Sequence, residues 1–146
     1  MKSNIMFVDD SVGVLKSLRW IFMDESYHIF LFESPFKALN AIKSKEFAVV
    51  VADQSMSEME GLEFLKKVKQ RSPDTVGMIM SGFVKPKRLS TAINKGLVSQ
   101  FVEKPLDINE IKQAVAIALV RYKSNVEDRR DKMSTLQPRD AFSFQQ

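Results

Sequence analysis

Residues 47–53 read FAVVVAD, an unbroken apolar run that ends in an aspartate. Apolar residues without polar alternation bury both faces of a strand, and valine suits the pleated backbone. Phe47–Ala52 is therefore read as a central strand, and Val76–Met80 (VGMIM) has the same character. Outward from these lie Ile5–Val8, Tyr27–Phe32 and Val98–Val102. Ser99–Lys104 (SQFVEK) is partly polar, as an edge strand is, whereas Tyr27–Phe32 is apolar but contains His28 and fits either place.

Helical patterns follow each run: Val12–Glu25, Pro35–Ser44, Leu62–Arg71, Lys87–Lys95 and Ile108–Tyr122. Each carries an apolar stripe at helical spacing. The stripes are Leu15, Leu18 and Phe22; Leu39 and Ile42; Leu62, Leu65 and Val68; Leu89, Ala92 and Ile93; and Ile111, Val115 and Leu119. Ser34-Pro35 reads as an N-cap followed by proline at the first helical position, and Asp107 with Glu110 as a capping box. Strand and helix alternate throughout, which implies an α/β fold with a parallel sheet covered on both faces. The expected architecture is a doubly wound, five-stranded, flavodoxin-like sheet of order 2-1-3-4-5.

The chain has 146 residues, enough for one domain and a modest extension. There is no cysteine, which excludes disulfides, thiolate chemistry and Cys-based metal sites. His28 is the only histidine, so a His-cluster zinc site and a Ser-His-Asp arrangement are poorly supported; a packing or surface role is expected for it. A net charge of +4 is too weak to argue for nucleic acid. No segment approaches the ~20 apolar residues of a membrane span. The start MKSNIMFVDD lacks the longer apolar stretch and cleavage site of a signal peptide, so a cytoplasmic protein with no membrane partner is expected.

Ligands of doubly wound sheets collect outside the carboxyl ends of the strands. Asp9-Asp10 ends the first strand, Asp53 the third, Ser81-Gly82 the fourth and Lys104-Pro105 the fifth. Strands lie ~4.8 Å apart, so these groups converge on one rim. Alone, an aspartate here is often a helix cap, Ser-Gly an ordinary turn and lysine a solvated charge. Their coincidence at four strand ends is what carries the functional reading. Carboxylates about 4 Å apart repel by roughly 1–4 kcal/mol per pair. A divalent cation relieves this, and all-oxygen ligation suits Mg²⁺ or Mn²⁺. A lysine and a hydroxyl opposite would hold the remaining oxygens of a phosphoryl group.

From Ser3 to Lys123 the sequence resembles bacterial response-regulator receiver domains, the fold of the chemotaxis regulator. The resemblance lies in FVDDS, VADQSMSEMEGLEFL, MSG and FVEKP. It implies that Asp53 accepts a phosphoryl group from a sensor histidine kinase or a phosphotransfer protein. It implies Mg²⁺ on Asp10, Asp53 and the backbone carbonyl of Ser55, with Asp9 acting mainly through water. It further implies that Ser81 hydrogen-bonds the phosphoryl group, Lys104 pairs with it, Phe101 is the rotamer-switching aromatic and Lys104-Pro105 is cis. Catalysis would be confined to self-phosphorylation and autodephosphorylation. Ser57 stands where the family usually has proline after the acceptor-loop methionine. Proline would have fixed one φ angle, so Ser57 is expected to loosen the loop. Phe101 lacks the hydroxyl of the tyrosine found in many relatives.

The domain is expected to span 1–123, followed by a polar extension, 124–146, that is either a frayed tail or a helical linker. Val115, Leu119, Tyr122, Val126, Met133 and Leu136 follow a 4-3 spacing interrupted by Arg129, which suits a short coiled coil and a homodimer. Output is expected through the face containing Phe101 and the last helix. Four alternatives bear on function. The chain could regulate an attached output domain such as a cyclic-dinucleotide phosphodiesterase. It could be a Mg²⁺-dependent phosphohydrolase, for which the short connections leave little pocket. It could be a degenerate receiver, although no acidic residue or lysine is missing. DNA binding by the tail is opposed by the interleaving of Arg129, Arg130 and Lys132 with Asp128 and Asp131.

Overall fold

Alternation along the strands divides the core in two. Ile5, Phe7, Val49, Val51, Met78 and Met80 face one helix layer. Met6, Val8, Val50, Ala52 and Ile79 face the other. Successive side chains of a strand point to opposite faces, so one apolar run serves both layers. A computed structural model of the chain describes residues 2–82 and 85–144. Its elements are β1 (Asn4–Val8), α1 (Val12–Phe22), β2 (His28–Phe32), α2 (Pro35–Ile42) and β3 (Val49–Asp53), followed by α3 (Gly61–Arg71), β4 (Val76–Ser81), α4 (Pro86–Asn94), β5 (Gln100–Glu103) and α5 (Ile108–Phe144). The five strands are parallel, in the order β2-β1-β3-β4-β5. The doubly wound, flavodoxin-like expectation is met, with β2 and β5 at the edges.

Leu15, Leu18 and Phe22 of α1 pack with Ile111, Val115 and Leu119 of α5 on one face. Leu39 of α2, Leu62 and Leu65 of α3 and Ala92 of α4 pack on the other. The stripe read in α4 is narrower than expected: Leu89 is half-buried and Ile93 is 45% exposed. His28 opens the edge strand β2 and is exposed. Ser34 caps α2 by accepting from the Lys37 N–H at 3.4 Å. Asp107 accepts from the Glu110 N–H at 2.9 Å, the forward half of the capping box.

The last helix, α5, continues past Tyr122 to Phe144. Of the 4-3 series, Val115 and Leu119 are buried in the domain core, and Tyr122 packs against it. Val126 is half-buried, and Met133 is 53% exposed. The first half of that series is thus the inward face of α5 rather than a seam for another helix. Leu136 lies outside the residues whose side chains are described. Among the described residues, no helix is long and apolar enough to cross a membrane.

Gly61 opens α3 directly beneath the end of β3. A Cβ there would lie 2.5 Å from the Asp53 carbonyl oxygen and 2.9 Å from Ile79 Cδ1. Backbone cannot yield as a flexible side chain would, so Gly61→Ala is expected to cost about 1–3 kcal/mol. Thermal unfolding should show a melting temperature lower by several degrees; an unchanged value would contradict this close approach.

Candidate functional site

The sheet ladder runs one residue beyond the strands and so places the site's side chains. The Asp9 N–H donates to the Phe32 carbonyl at 3.1 Å, Gln54 N–H to Met80 at 3.0 Å and Lys104 N–H to Ser81 at 2.9 Å. These bonds hold the first loop residue after β1, β3 and β5 as firmly as the strands themselves. Asp9, Asp10 and Asp53 consequently converge, with one carboxylate oxygen from each lying within 4.8 Å of the others. Asp9 and Asp53 are buried and Asp10 is exposed.

Lys104 enters this acidic cluster from the β5 side. Its Nζ donates to Asp9 Oδ2 at 2.7 Å and lies 3.0 Å from Asp53 Oδ1. Burial pushes the Asp53 carboxyl above its ordinary range, and the charges of Asp9 and Asp10 act in the same direction; Lys104 offsets this only in part. For Lys104, burial lowers the ammonium pKa, but the two carboxylates it bonds outweigh that and leave it raised. The site therefore carries more negative charge than its lysine balances.

The remaining contacts sort the carboxylates by availability. Both Asp9 oxygens are engaged, Oδ2 by Lys104 and Oδ1 by the Ser11 N–H at 2.9 Å. Asp53 is held through Oδ1, and Asp10 through Oδ2 by the Ser57 N–H at 3.0 Å. The cap of α1 is Ser11, which accepts from the Val14 N–H, so neither aspartate is spent on that role. Asp10, Ser55 and Ser57 open on a pocket of about 570 Å³ that reaches across to Lys85 and Arg88. Ser81 is buried at the end of β4. Phe101, opposite Ile79 in the ladder, is half-buried against the core beneath α2, α3 and α4. The Lys104-Pro105 peptide bond is cis.

Three residues matter here that sequence reasoning did not single out or read correctly. Gln54 places its side-chain Oε1 on the Leu62 N–H at 2.9 Å, capping α3 where Glu60 makes no side-chain cap bond. Gly61 permits that helix to start against the Asp53 carbonyl. The signal for both was the polar-then-glycine pattern between Asp53 and the stripe of α3. Ser57, expected to loosen the loop, supplies through its N–H a tie to Asp10 that proline would lack.

The family model described as "Response regulator receiver domain" matches residues 5–116. Sporulation initiation phosphotransferase F of Bacillus subtilis (strain 168) is 29% identical over 115 residues, covering 79% of this chain and 92% of that protein. Transcriptional regulatory protein ZraR of Salmonella typhimurium (strain LT2) is 30% identical over 118 residues, covering 81% of this chain. The chain spans only 26% of ZraR, so it corresponds to about a quarter of that regulator. A crystal structure described as adenylate cyclase from Rhodopirellula baltica superposes with a TM-score of 0.83 at 27% identity, covering 92% of this chain and 98% of that one. Strand order, rim geometry and sequence agree: the chain belongs to the response-regulator receiver family, the signalling modules of two-component systems.

Proposed function

We propose that Asp53 is the phosphoacceptor of a two-component relay, loaded by a sensor histidine kinase or a phosphotransfer protein. The observation that carries this reading is the placement of Asp53. It is buried at the end of β3, faces two further carboxylates, and is held by Lys104 Nζ at 3.0 Å. In the transfer, an Asp53 carboxylate oxygen forms a bond to phosphorus. The phosphorus–nitrogen bond of the donor phosphohistidine breaks, and its electron pair leaves with the imidazole.

The residues fit a hard divalent cation such as Mg²⁺. Asp10 and Asp53 each have one oxygen engaged by protein and the other to offer, and the Ser55 carbonyl belongs to the adjoining loop. Asp9 is fully engaged and would act through water. When bound, Mg²⁺ neutralises carboxylate charge and takes phosphoryl oxygens into its shell. Lys104, already at Asp53, needs only to exchange Asp9 for a phosphoryl oxygen. Ser81 would donate to another, and Phe101 would follow the shift of Ser81 inward. Phosphorylation replaces one negative charge by about two, and such a local change can bias a bistable face. The face is formed by α4, β5 and α5, and its output is an attached domain, a docking partner or a second copy of the chain. Residues 124–146 would be the route to it.

Treatment with a small phosphodonor and Mg²⁺ should add one phosphoryl group to the wild-type intact mass and none to Asp53→Asn. An adduct retained by Asp53→Asn would remove the assignment.

Charge crowding gives a second expectation. The Asp53 pKa is raised in the folded state, so its ionised form is disfavoured there. The destabilisation is present above the folded pKa and is relieved as pH falls through it. Asp53→Asn should therefore melt a few degrees higher than wild type at neutral pH in Mg²⁺-free buffer. A lower melting temperature would mean that the Lys104–Asp53 pair outweighs the repulsion.

The Ser57 tie gives a third. Ser57→Pro removes the N–H that orients Asp10 and should weaken Mg²⁺ binding by roughly 3- to 10-fold in calorimetry, the size of one lost hydrogen bond. Ser57→Ala keeps the N–H and should bind as wild type does. Equal weakening in both variants would assign the effect to the hydroxyl instead.

A further inference from the structure

The interruption in the 4-3 series of α5 has a structural counterpart at the opposite end of the sheet from Asp53. Beyond Tyr122 the helix presents Asn125 beside the half-buried Val126, and then Arg129. These residues are four apart and so stack on one helix face. Both reach Asp74, in the turn that joins α3 to β4. Asn125 Nδ2 donates to the Asp74 carbonyl at 3.0 Å, and Arg129 Nε donates to Asp74 Oδ2 at 2.6 Å. Tyr122 and Arg129 also line a pocket of about 220 Å³ with Pro73 and Asp74.

We infer that this turn is a docking surface for the chain's own helical extension, with Asn125 and Arg129 gripping Asp74, so that the folded unit runs to Arg129. The domain would thus end about one and a half helical turns beyond 123. The turn is a firm anchor. Thr75 Oγ1 donates to the buried Phe47 carbonyl at 2.7 Å and pairs with Ser72 Oγ at 2.6 Å. The Ser72 N–H closes onto Val68 at 2.8 Å. Asp74 therefore sits on backbone tied to the core at the start of β3.

An isolated surface ion pair contributes little, because ordering two side chains offsets the attraction. Here the Asn125 bond to backbone and the half-buried Val126 share that ordering, and α5 enters the contact already fixed by Val115 and Leu119. Exposure changes at this point: Asn125 and Val126 are half-buried, whereas residues 127–134 are exposed. Arg129 is a positioning residue. It fixes the direction and rotational phase with which the helix leaves the domain, and it breaks the apolar series because its partner is an aspartate rather than another helix. The consequence for signalling rests on the proposal that 124–146 leads to the output, but the grip itself does not depend on that proposal.

The test is amide hydrogen exchange on the full chain. In wild type, protection should continue from Ile108 through Arg129 and decline beyond it. Arg129→Ala leaves the turn untouched and should speed exchange across residues 123–130 roughly five-fold, while residues 108–120 keep theirs. Asp74→Ala should do the same, and the double variant should be no worse than either single one, since both remove one interaction. Fast exchange from Lys123 onward in wild type would overturn the inference, as would an unchanged Arg129→Ala or additive single effects. Phosphoryl uptake by Arg129→Ala, read by intact mass, should equal that of wild type, so failure of the grip and failure of the Asp53 assignment give separate signals.

Discussion

The Lys104 ammonium, bonded at once to Asp9 and Asp53, is the interaction on which the rim depends. Three carboxylates brought together by strand ends would repel without it, and one cation cannot balance them all. The resting site is held together yet short of positive charge. In the proposed reading a divalent cation would complete this site from one side, held by the open oxygens of Asp10 and Asp53, and a phosphoryl group from the other, held by Lys104 and Ser81. The sheet makes this geometry possible because its hydrogen bonds continue past β1, β3 and β5 to Asp9, Gln54 and Lys104.

The two ends of the sheet divide the labour. At the carboxyl ends lie Asp9, Asp10, Asp53, Ser81 and Lys104, and the adjoining strand β5 carries the half-buried Phe101. At the amino ends the α3–β4 turn meets the extension of α5. The helix spans both regions: its first turns close the core beside β5, and its later turns leave the domain past Asp74.

Much of this was legible in the sequence, for identifiable reasons. FAVVVAD and VGMIM are apolar on both faces, and only central parallel strands demand that. Asp9, Asp10, Asp53, Ser81 and Lys104 each follow such a run directly, so placing the strands placed the rim. Contacts between distant segments were not legible. Nothing local to Ser57 says that its N–H meets Asp10, 47 residues away in the chain. Nothing near Arg129 points to Asp74, 55 residues away. The periodicity of α5 marks an apolar stripe, but a stripe does not say whether it faces its own domain or another helix. Burial of Val115 and Leu119 decides for the domain.

The role of Asp53 would be visible in a crystal structure of the protein with Mg²⁺ and a beryllium trifluoride phosphoryl mimic. The expected result is beryllium on an Asp53 oxygen, Asp10 in the metal shell, and Lys104 Nζ turned from Asp9 to a fluorine. An unmodified Asp53 with Lys104 still bridging Asp9 and Asp53 under saturating mimic would contradict it.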